Sequence, residues 1–235
     1  GLIVGHVVSR SNLLVSDLVA ARAAEVAQRF GVRSVPSAPD LARESDVVVL
    51  AAKPKDMPGL VRSIADAVST DALVISLAAG VRTAFIESVL RGRGRVVRIM
   101  PNLACAVGEG ATAFALGSTA SSSDALVVEE IFGGLGRVTK VDEALLDAVT
   151  ALSGSGPGLV AALVNAMIDG GVRCGLPRDV ALKLALQTMK GTAELLLVDG
   201  LERDRRGRGK VALDCGLARR QRLLLGSARA RHGRE

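Results

Sequence analysis

The groups in this sequence that chemistry could use are few: an amide, a lysine, a pair of serines and several runs of small residues. Val96-Val97-Arg98-Ile99-Met100 has strand character and ends in Pro101-Asn102. Pro101 fixes its own φ and biases Met100 toward extended backbone, so the Asn102 amide leaves the strand with a defined aim. A carboxamide there can orient a polar ligand, or it can cap the turn that begins at Leu103. In Gly108-Glu109-Gly110-Ala111-Thr112, Glu109 reads as a turn anchor rather than a proton donor. Ala51-Ala52-Lys53-Pro54 closes a second apolar run. Its small residues admit close approach to the backbone, and Lys53 either offers a cation to phosphate or sits solvated in a turn. Leu77-Ala78-Ala79-Gly80 closes a third run in the same style. Ser153-Gly154-Ser155-Gly156-Pro157 reads as a tight turn into a long helix. N–H groups at a helix start can meet an anion, and Ser155 or Gly156 can also cap that helix.

An alternation of strands and helices must position these groups. Leu13–Ser16, Val32–Val35, Asp46–Ala51, Leu73–Leu77, Val96–Met100 and Arg137–Val141 read as strands. Helical spacing fills Leu18–Phe30, Met57–Val68, Thr83–Leu90 and Ala125–Phe132, with Thr83 as N-cap. The continuous apolar run of Asp46–Ala51 predicts a strand buried on both faces. The pattern is α/β, a doubly wound parallel sheet, whose carboxyl edge is where ligands bind and commonly holds a dinucleotide. Asp17 follows the first of these strands, where an acid accepts ribose hydroxyls; it can equally N-cap the next helix. Arg22, one turn on, balances Asp17 or meets a 2′-phosphate, so NAD and NADP both stay open. No Gly-x-Gly-x-x-Gly occurs, and Gly1–Val8 reads as the helix that follows such a loop. The chain is therefore expected to begin inside the domain, with its first strand missing. From Asp142 the pattern is helical: Asp142–Ala151, Pro157–Arg173 and Pro177–Val198, with Met167 and Met189 as core. The expected organisation is a dinucleotide-binding Rossmann-like domain over 1–141, a helical domain over 142–200 and an Arg-rich tail over 201–235. Two long helices with this much apolar surface predict association with a second copy.

Composition removes other classes. The net charge of +6 belongs to residues 201–235, which hold ten Arg and one Lys against four acids, while the body is close to neutral. With no Trp or Tyr there is no stacking platform, so nucleic acid is not an expected partner. Cys105, Cys174 and Cys215 lack metal-ligand spacing, and no metal is expected. Unspaced thiols suit a reducing, cytoplasmic compartment. No apolar run reaches the roughly 18 residues a membrane helix needs, so no membrane partner is expected.

Val97-Arg98-Ile99-Met100-Pro101-Asn102 with Gly108–Thr112 resembles pyrroline-5-carboxylate reductase, as does Ala151-Leu152-Ser153-Gly154-Ser155-Gly156-Pro157-Gly158. Asp169-Gly170-Gly171-Val172, Gly175-Leu176-Pro177-Arg178, Ala52-Lys53-Pro54 and Ala78-Ala79-Gly80 fit the same family in order and spacing. The resemblance covers about residues 1–200. It implies a Rossmann domain followed by a helical domain that interlocks with its partner in a homodimer or larger ring. It also implies hydride transfer from NADPH, or NADH, to the C=N carbon of 1-pyrroline-5-carboxylate, giving L-proline. Asp17, Ala51, Ala52, Lys53, Pro54, Ala78, Ala79 and Asn102 would hold the cofactor. Asn102, Ser153, Ser155 and Gly156 would orient the substrate. The iminium form of the substrate is already electrophilic, so orientation rather than a strong acid is what the protein must supply. Leu103 stands where the family usually has Thr, and nothing in 201–235 matches the family's Ser-Pro-Gly-Gly-Thr-Thr segment. Without that segment and the Gly-rich loop, the chain as written is expected to form little or no proline. The alternatives are a member that dimerises without turnover, or another NADP-linked reductase of the 6-phosphogluconate-dehydrogenase-like fold. The latter would carry a Lys on its first interdomain helix, and 157–173 has none.

Overall fold

The computed structural model describes residues 2, 3 and 5–199, so expectations for the Arg-rich tail, Cys215 included, lie outside the described residues. It divides into two compact units, Gly1–Val160 and a second from Ala161 on. In the first, strands and helices run β1 (Leu14–Val15), α1 (Ala20–Phe30), β2 (Arg33–Ser34), α2 (Ala38–Arg43), β3 (Val47–Leu50), α3 (Met57–Ile64), β4 (Leu73–Ser76), α4 (Thr83–Leu90), β5 (Arg95–Met100), β6 (Gly110–Leu116), α5 (Ser122–Gly133), β7 (Gly136–Lys140) and α6 (Leu146–Val149). The five strands β3 to β7 form one sheet in chain order. Strands β3, β4 and β5 are parallel, β6 turns antiparallel to β5, and β7 runs parallel to β6. Met57, Val61, Ile64, Ile86 and Leu90 from α3 and α4 pack on one face with Val48, Leu50 and Val74. Ala125, Val128 and Phe132 of α5 cover the other with Ile75, Val97 and Ile99. Each such large side chain, fully buried, contributes about 1.5–3 kcal/mol, which fixes helices on both faces.

Three expectations are corrected. β3 is an edge strand fully covered on one face alone: Val48 and Leu50 are buried, but Val49, on the opposite face, is 41% exposed. An apolar run shows that burial is favourable on both faces, not that an element lies over both. Among the described residues β1 and β2 pair only with each other, in a separate parallel sheet. Leu2–Val8 forms turns and bends where described, not a helix.

Helix α5 opens on a capping box in which Asp124 accepts the Ser121 backbone N–H at 2.8 Å, and Arg95 Nε binds the same carboxylate at 2.8 Å. Asp124 is 2% exposed. Burial opposes its charge, but the Ser121 backbone N–H, the Arg95 and Ser121 side chains and the Arg95 charge together outweigh it. The carboxyl is held below the usual aspartate range. A lowered folded-state value stabilises above the unfolded value near pH 4, and that stabilisation is lost as pH falls through the folded one. Asp124→Asn is expected to cost about 1–3 kcal/mol at neutral pH, the range for a buried charged hydrogen bond. It should also flatten the acid limb of a denaturation-midpoint profile below about pH 4; an unaltered acid limb would contradict this.

The second unit holds the long helix α7 (Gly156–Arg173) from its second turn on and α8 (Arg178–Asp199). Val164, Ile168, Ala181 and Ala185 are buried together with Met189 packed beside them. Leu163, Met167, Leu182, Leu184, Leu186 and Leu195 stay exposed. Both helices therefore carry more apolar surface than their mutual contact covers.

Candidate functional site

Because β3, β4 and β5 are parallel neighbours, their carboxyl ends fall along one edge of the sheet. That edge brings together Ala51-Ala52-Lys53-Pro54, Ala78-Ala79 and Asn102. Past β3 the chain turns at once, with the Lys53 carbonyl accepting from Asp56 N at 2.9 Å and from Met57 N at 3.1 Å. This turn leaves Lys53 exposed and, among the described residues, without an ion-pair partner. Ala78 is buried at 2%, and the chain then turns through Gly80, whose φ of +72° favours glycine.

Asn102 is more deeply engaged than its sequence suggests. Its Oδ1 accepts from Ala104 N and from Ala111 N, both at 3.2 Å. Its Nδ2 donates to the Ser153 carbonyl at 3.2 Å. One amide thus caps the 3₁₀ turn Leu103–Val107, pins the start of β6 and holds the segment at Ser153. The turn-capping reading is realised, and the amide's other partners are protein backbone groups as well.

α7 starts at Gly156, with the Ser155 carbonyl accepting from Gly158 N at 3.1 Å and Leu159 N at 3.4 Å, as the turn predicts, but what precedes it is no loop: α6 runs on through Thr150–Gly154 as one π turn and bends at Ser155. Ser155 N–H donates to the Thr150 carbonyl at 2.9 Å, so it is not a free donor for an anion. Thr150 Oγ1 and Ser153 Oγ donate back to the Leu146 and Val149 carbonyls at 2.8 and 3.1 Å. Such back-bonding bends helices, and π turns recur at functional sites. Pro157 is the second residue of α7, in the first turn of a helix, where its missing N–H costs nothing. The helical span Glu143–Arg173 is, by length and composition, long and apolar enough to cross a membrane, which corrects the expectation that no segment is.

Asp17 is not joined to this edge, since β1 belongs to the other sheet. Its Oδ1 accepts from Val19 N at 2.8 Å, just ahead of α1, and among the described residues it makes no ion pair with Arg22. Thr83 is the first residue of α4 rather than its N-cap, and Glu143 accepts both its N–H, at 2.7 Å, and its hydroxyl, at 2.9 Å.

Sequence reasoning passed over Arg98. It is 2% exposed in the middle of β5, with Ser76 and Ala115 as small neighbours on the flanking strands. Its guanidinium lies 3.1 Å from Asp147 and 3.7 Å from Glu143. The readable signal was a charge inside an apolar strand, which is tolerated only with partners. Among the described residues no group of three or more His, Cys, Asp or Glu could hold a metal ion.

Comparison with known proteins places this geometry. A family model described as pyrroline-5-carboxylate reductase dimerisation matches residues 143–217, and one described as NADP oxidoreductase, coenzyme F420-dependent, matches residues 4–80. The first match runs past Gly200 into the Arg-rich tail, which corrects the expectation that nothing there resembles the family. The pyrroline-5-carboxylate reductase of Glycine max is 40% identical over 173 residues, 74% of this chain and 63% of its own length. That of Methanosarcina acetivorans is 37% identical over 201 residues, 86% of this chain and 74% of its own. The solved pyrroline-5-carboxylate reductase of Coxiella burnetii is similar with a TM-score of 0.78 and 28% identity, covering 98% of this chain and 87% of that one. The pyrroline carboxylate reductase of Plasmodium falciparum, solved with NADP bound, gives a TM-score of 0.72 at 25% identity, covering 97% and 87%. The chain thus spans less than two thirds of the length of the Glycine max relative.

Proposed function

This chain belongs to the pyrroline-5-carboxylate reductase family, and we propose that it reduces 1-pyrroline-5-carboxylate to L-proline with a nicotinamide dinucleotide. The observation that carries the proposal is the carboxyl edge of the parallel strands, where Lys53, the small residues at 51–52 and 78–79, and Asn102 with Ser153 in its grip fall together. A nicotinamide dinucleotide held along this edge would supply the hydride. The protein's task is to set the protonated C=N carbon against the nicotinamide. The transferred hydride forms the new C–H bond, and the iminium π electrons become the amine lone pair. No residue has to give up a proton in that step, which suits an edge without a carboxylate or histidine cluster.

In this reading Ala51, Ala52, Pro54, Ala78 and Ala79 let the dinucleotide lie against backbone, and Lys53 meets its phosphate. Asn102 sets the Ser153 segment that faces the substrate. Asp17, just past the end of β1 in the separate two-stranded sheet, would meet the adenosine ribose, and Arg22, without an ion pair among the described residues, would serve a 2′-phosphate, so NADP is the first choice and NAD the second. The cytoplasm is the proposed location, in keeping with thiols Cys105 and Cys174 that are unpaired among the described residues. The test is oxidation of NADPH and of NADH on addition of the imine. Dependence of oxidation on the imine supports the reading, and its absence with both cofactors refutes it. Lys53→Ala is expected to weaken dinucleotide binding by about 1–2 kcal/mol, the range for a charged contact near the surface. An unchanged dissociation constant by calorimetry would return Lys53 to a solvated turn.

We propose further that the exposed apolar faces of α7 and α8 pair with a second copy. A match to a family's dimerisation region over these helices supports this. It also supplies a use for the apolar helix Glu143–Arg173 other than lipid: the helix begins with Glu143 and Asp147 paired to a buried arginine. Light scattering at micromolar concentration is expected to give a dimer or larger assembly, and a stable monomer would count against the pairing.

A further inference from the structure

Two residues on one face of β5, and Asn102 just past its end, meet one helical span in succession. Side chains alternate along a strand, so Arg98, Met100 and Asn102 share a face. Arg98 pairs with Glu143 and Asp147. Met100 is buried with Leu146 and has Val149 packed against that cluster. Asn102 donates to the Ser153 carbonyl. From Arg98 to Asn102 the strand advances about 13 Å at its usual rise. From Glu143 to Ser153 a helix advances about 15 Å, and from Asp147 about 9 Å. The helix is therefore tied to the strand at both ends of a matched span, and its π turn lies at the far end of that span.

We infer that Arg98 is a positioning residue: through Glu143 and Asp147 it fixes the register of the helix, and so the π turn that Asn102 holds against the carboxyl edge. A π turn sets Ser155 N–H on the Thr150 carbonyl, one residue earlier than an α-helix would. Relaxation to α geometry would turn Ser153 away from Asn102 by about one residue of rotation. Only a helix held at two points resists that. The near end is not an ordinary surface ion pair. Arg98 is 2% exposed, and its Nε is buried without a hydrogen-bond partner. Glu143 is held in turn by both polar groups of Thr83 at the start of α4. A buried arginine of this kind is a weak source of stability, because an apolar side chain of similar volume often costs no more. Its value is in choosing one register, and β5 is the strand that ends in Asn102.

The inference rests on the reductase reading only for its kinetic consequence. Its direct test is amide hydrogen exchange on the whole protein with Arg98→Met and Asp147→Asn. Asp147 has a side chain 78% exposed, so Asp147→Asn keeps the fold if Arg98→Met does not. Exchange at Ser155 is expected to rise about tenfold in either variant, the scale of one lost hydrogen bond, while Val48 and Val74 keep their rates. Unchanged exchange at Ser155, or an equal rise at all three amides, would overturn the inference. In the reductase assay both variants should lower kcat about tenfold with the dinucleotide KM unchanged, and Arg98→Lys should restore part of the loss, since a small misplacement costs rate more than binding. A kcat equal to that of the unsubstituted protein would also overturn it. If the unsubstituted protein shows no turnover, the reductase reading fails while the exchange result still decides the role of Arg98.

Discussion

Asn102→Asp is expected to destabilise the protein by about 2–4 kcal/mol at neutral pH and to abolish most turnover. The substitution keeps an oxygen for the N–H groups of Ala104 and Ala111. It removes the donor to Ser153 and sets a carboxylate oxygen against that carbonyl in a half-buried place. The sign of the pH effect follows. Repulsion from the carbonyl raises the folded-state pKa of the new carboxyl above its unfolded value. The penalty is then fully present above the folded value and is relieved as pH falls through it, where the acid O–H donates to Ser153. Denaturation midpoints of the variant and the unsubstituted protein should therefore converge toward acid pH. A neutral-pH midpoint equal to that of the unsubstituted protein would show that the Asn102 amide holds nothing.

The second large effect is structural. Gly136 begins β7 with φ of +140°, opposite Gly110 at the start of β6. A Cβ at Gly136 would fall on the backbone of Gly110, which cannot rotate away as a side chain would. Strained φ and a backbone clash act together, so Gly136→Ala should cost more than about 3 kcal/mol. It would also disturb the start of β6, which Asn102 pins through Ala111. Gly59, inside α3 with nothing within 4 Å of its Cβ position, is the matched control. Gly59→Ala should gain roughly 0.5–1 kcal/mol from helix propensity. Equal midpoints for the two variants would remove the close approach of β6 and β7 as a constraint.

These residues also show what the sequence could and could not convey. The parallel strands and their small carboxyl ends were legible because burial and backbone approach select residue types at fixed spacing. Asn102 was legible as a polar group leaving a strand and as a cap for the turn at Leu103, but its partners at Ala111 and Ser153, 9 and 51 residues away, leave no local pattern. The π turn was hidden for the opposite reason: Gly154, Gly156 and Pro157 signal a break with a loop, whereas the structure carries the chain through a π turn and confines the break to a bend at Ser155. The exposed face of β3 was misjudged because an apolar run records what a strand prefers, not what covers it. Arg98 was in plain sight as a charge in an apolar strand, yet its acids sit on a helix that the sequence does not connect to it. The match that extends to residue 217 shows family likeness reaching into the tail, but the Ser-Pro-Gly-Gly-Thr-Thr segment is still absent from it.

Isotope transfer tests the proposed reaction most directly. The protein is incubated with 1-pyrroline-5-carboxylate and NADPH or NADH carrying deuterium at nicotinamide C4, and the product is resolved by chiral chromatography and mass spectrometry. The structure and the family together predict L-proline with a single deuterium on C5, from at least one of the two cofactors. No proline with either cofactor, or proline whose C5 hydrogen comes from solvent, would contradict hydride transfer at this site.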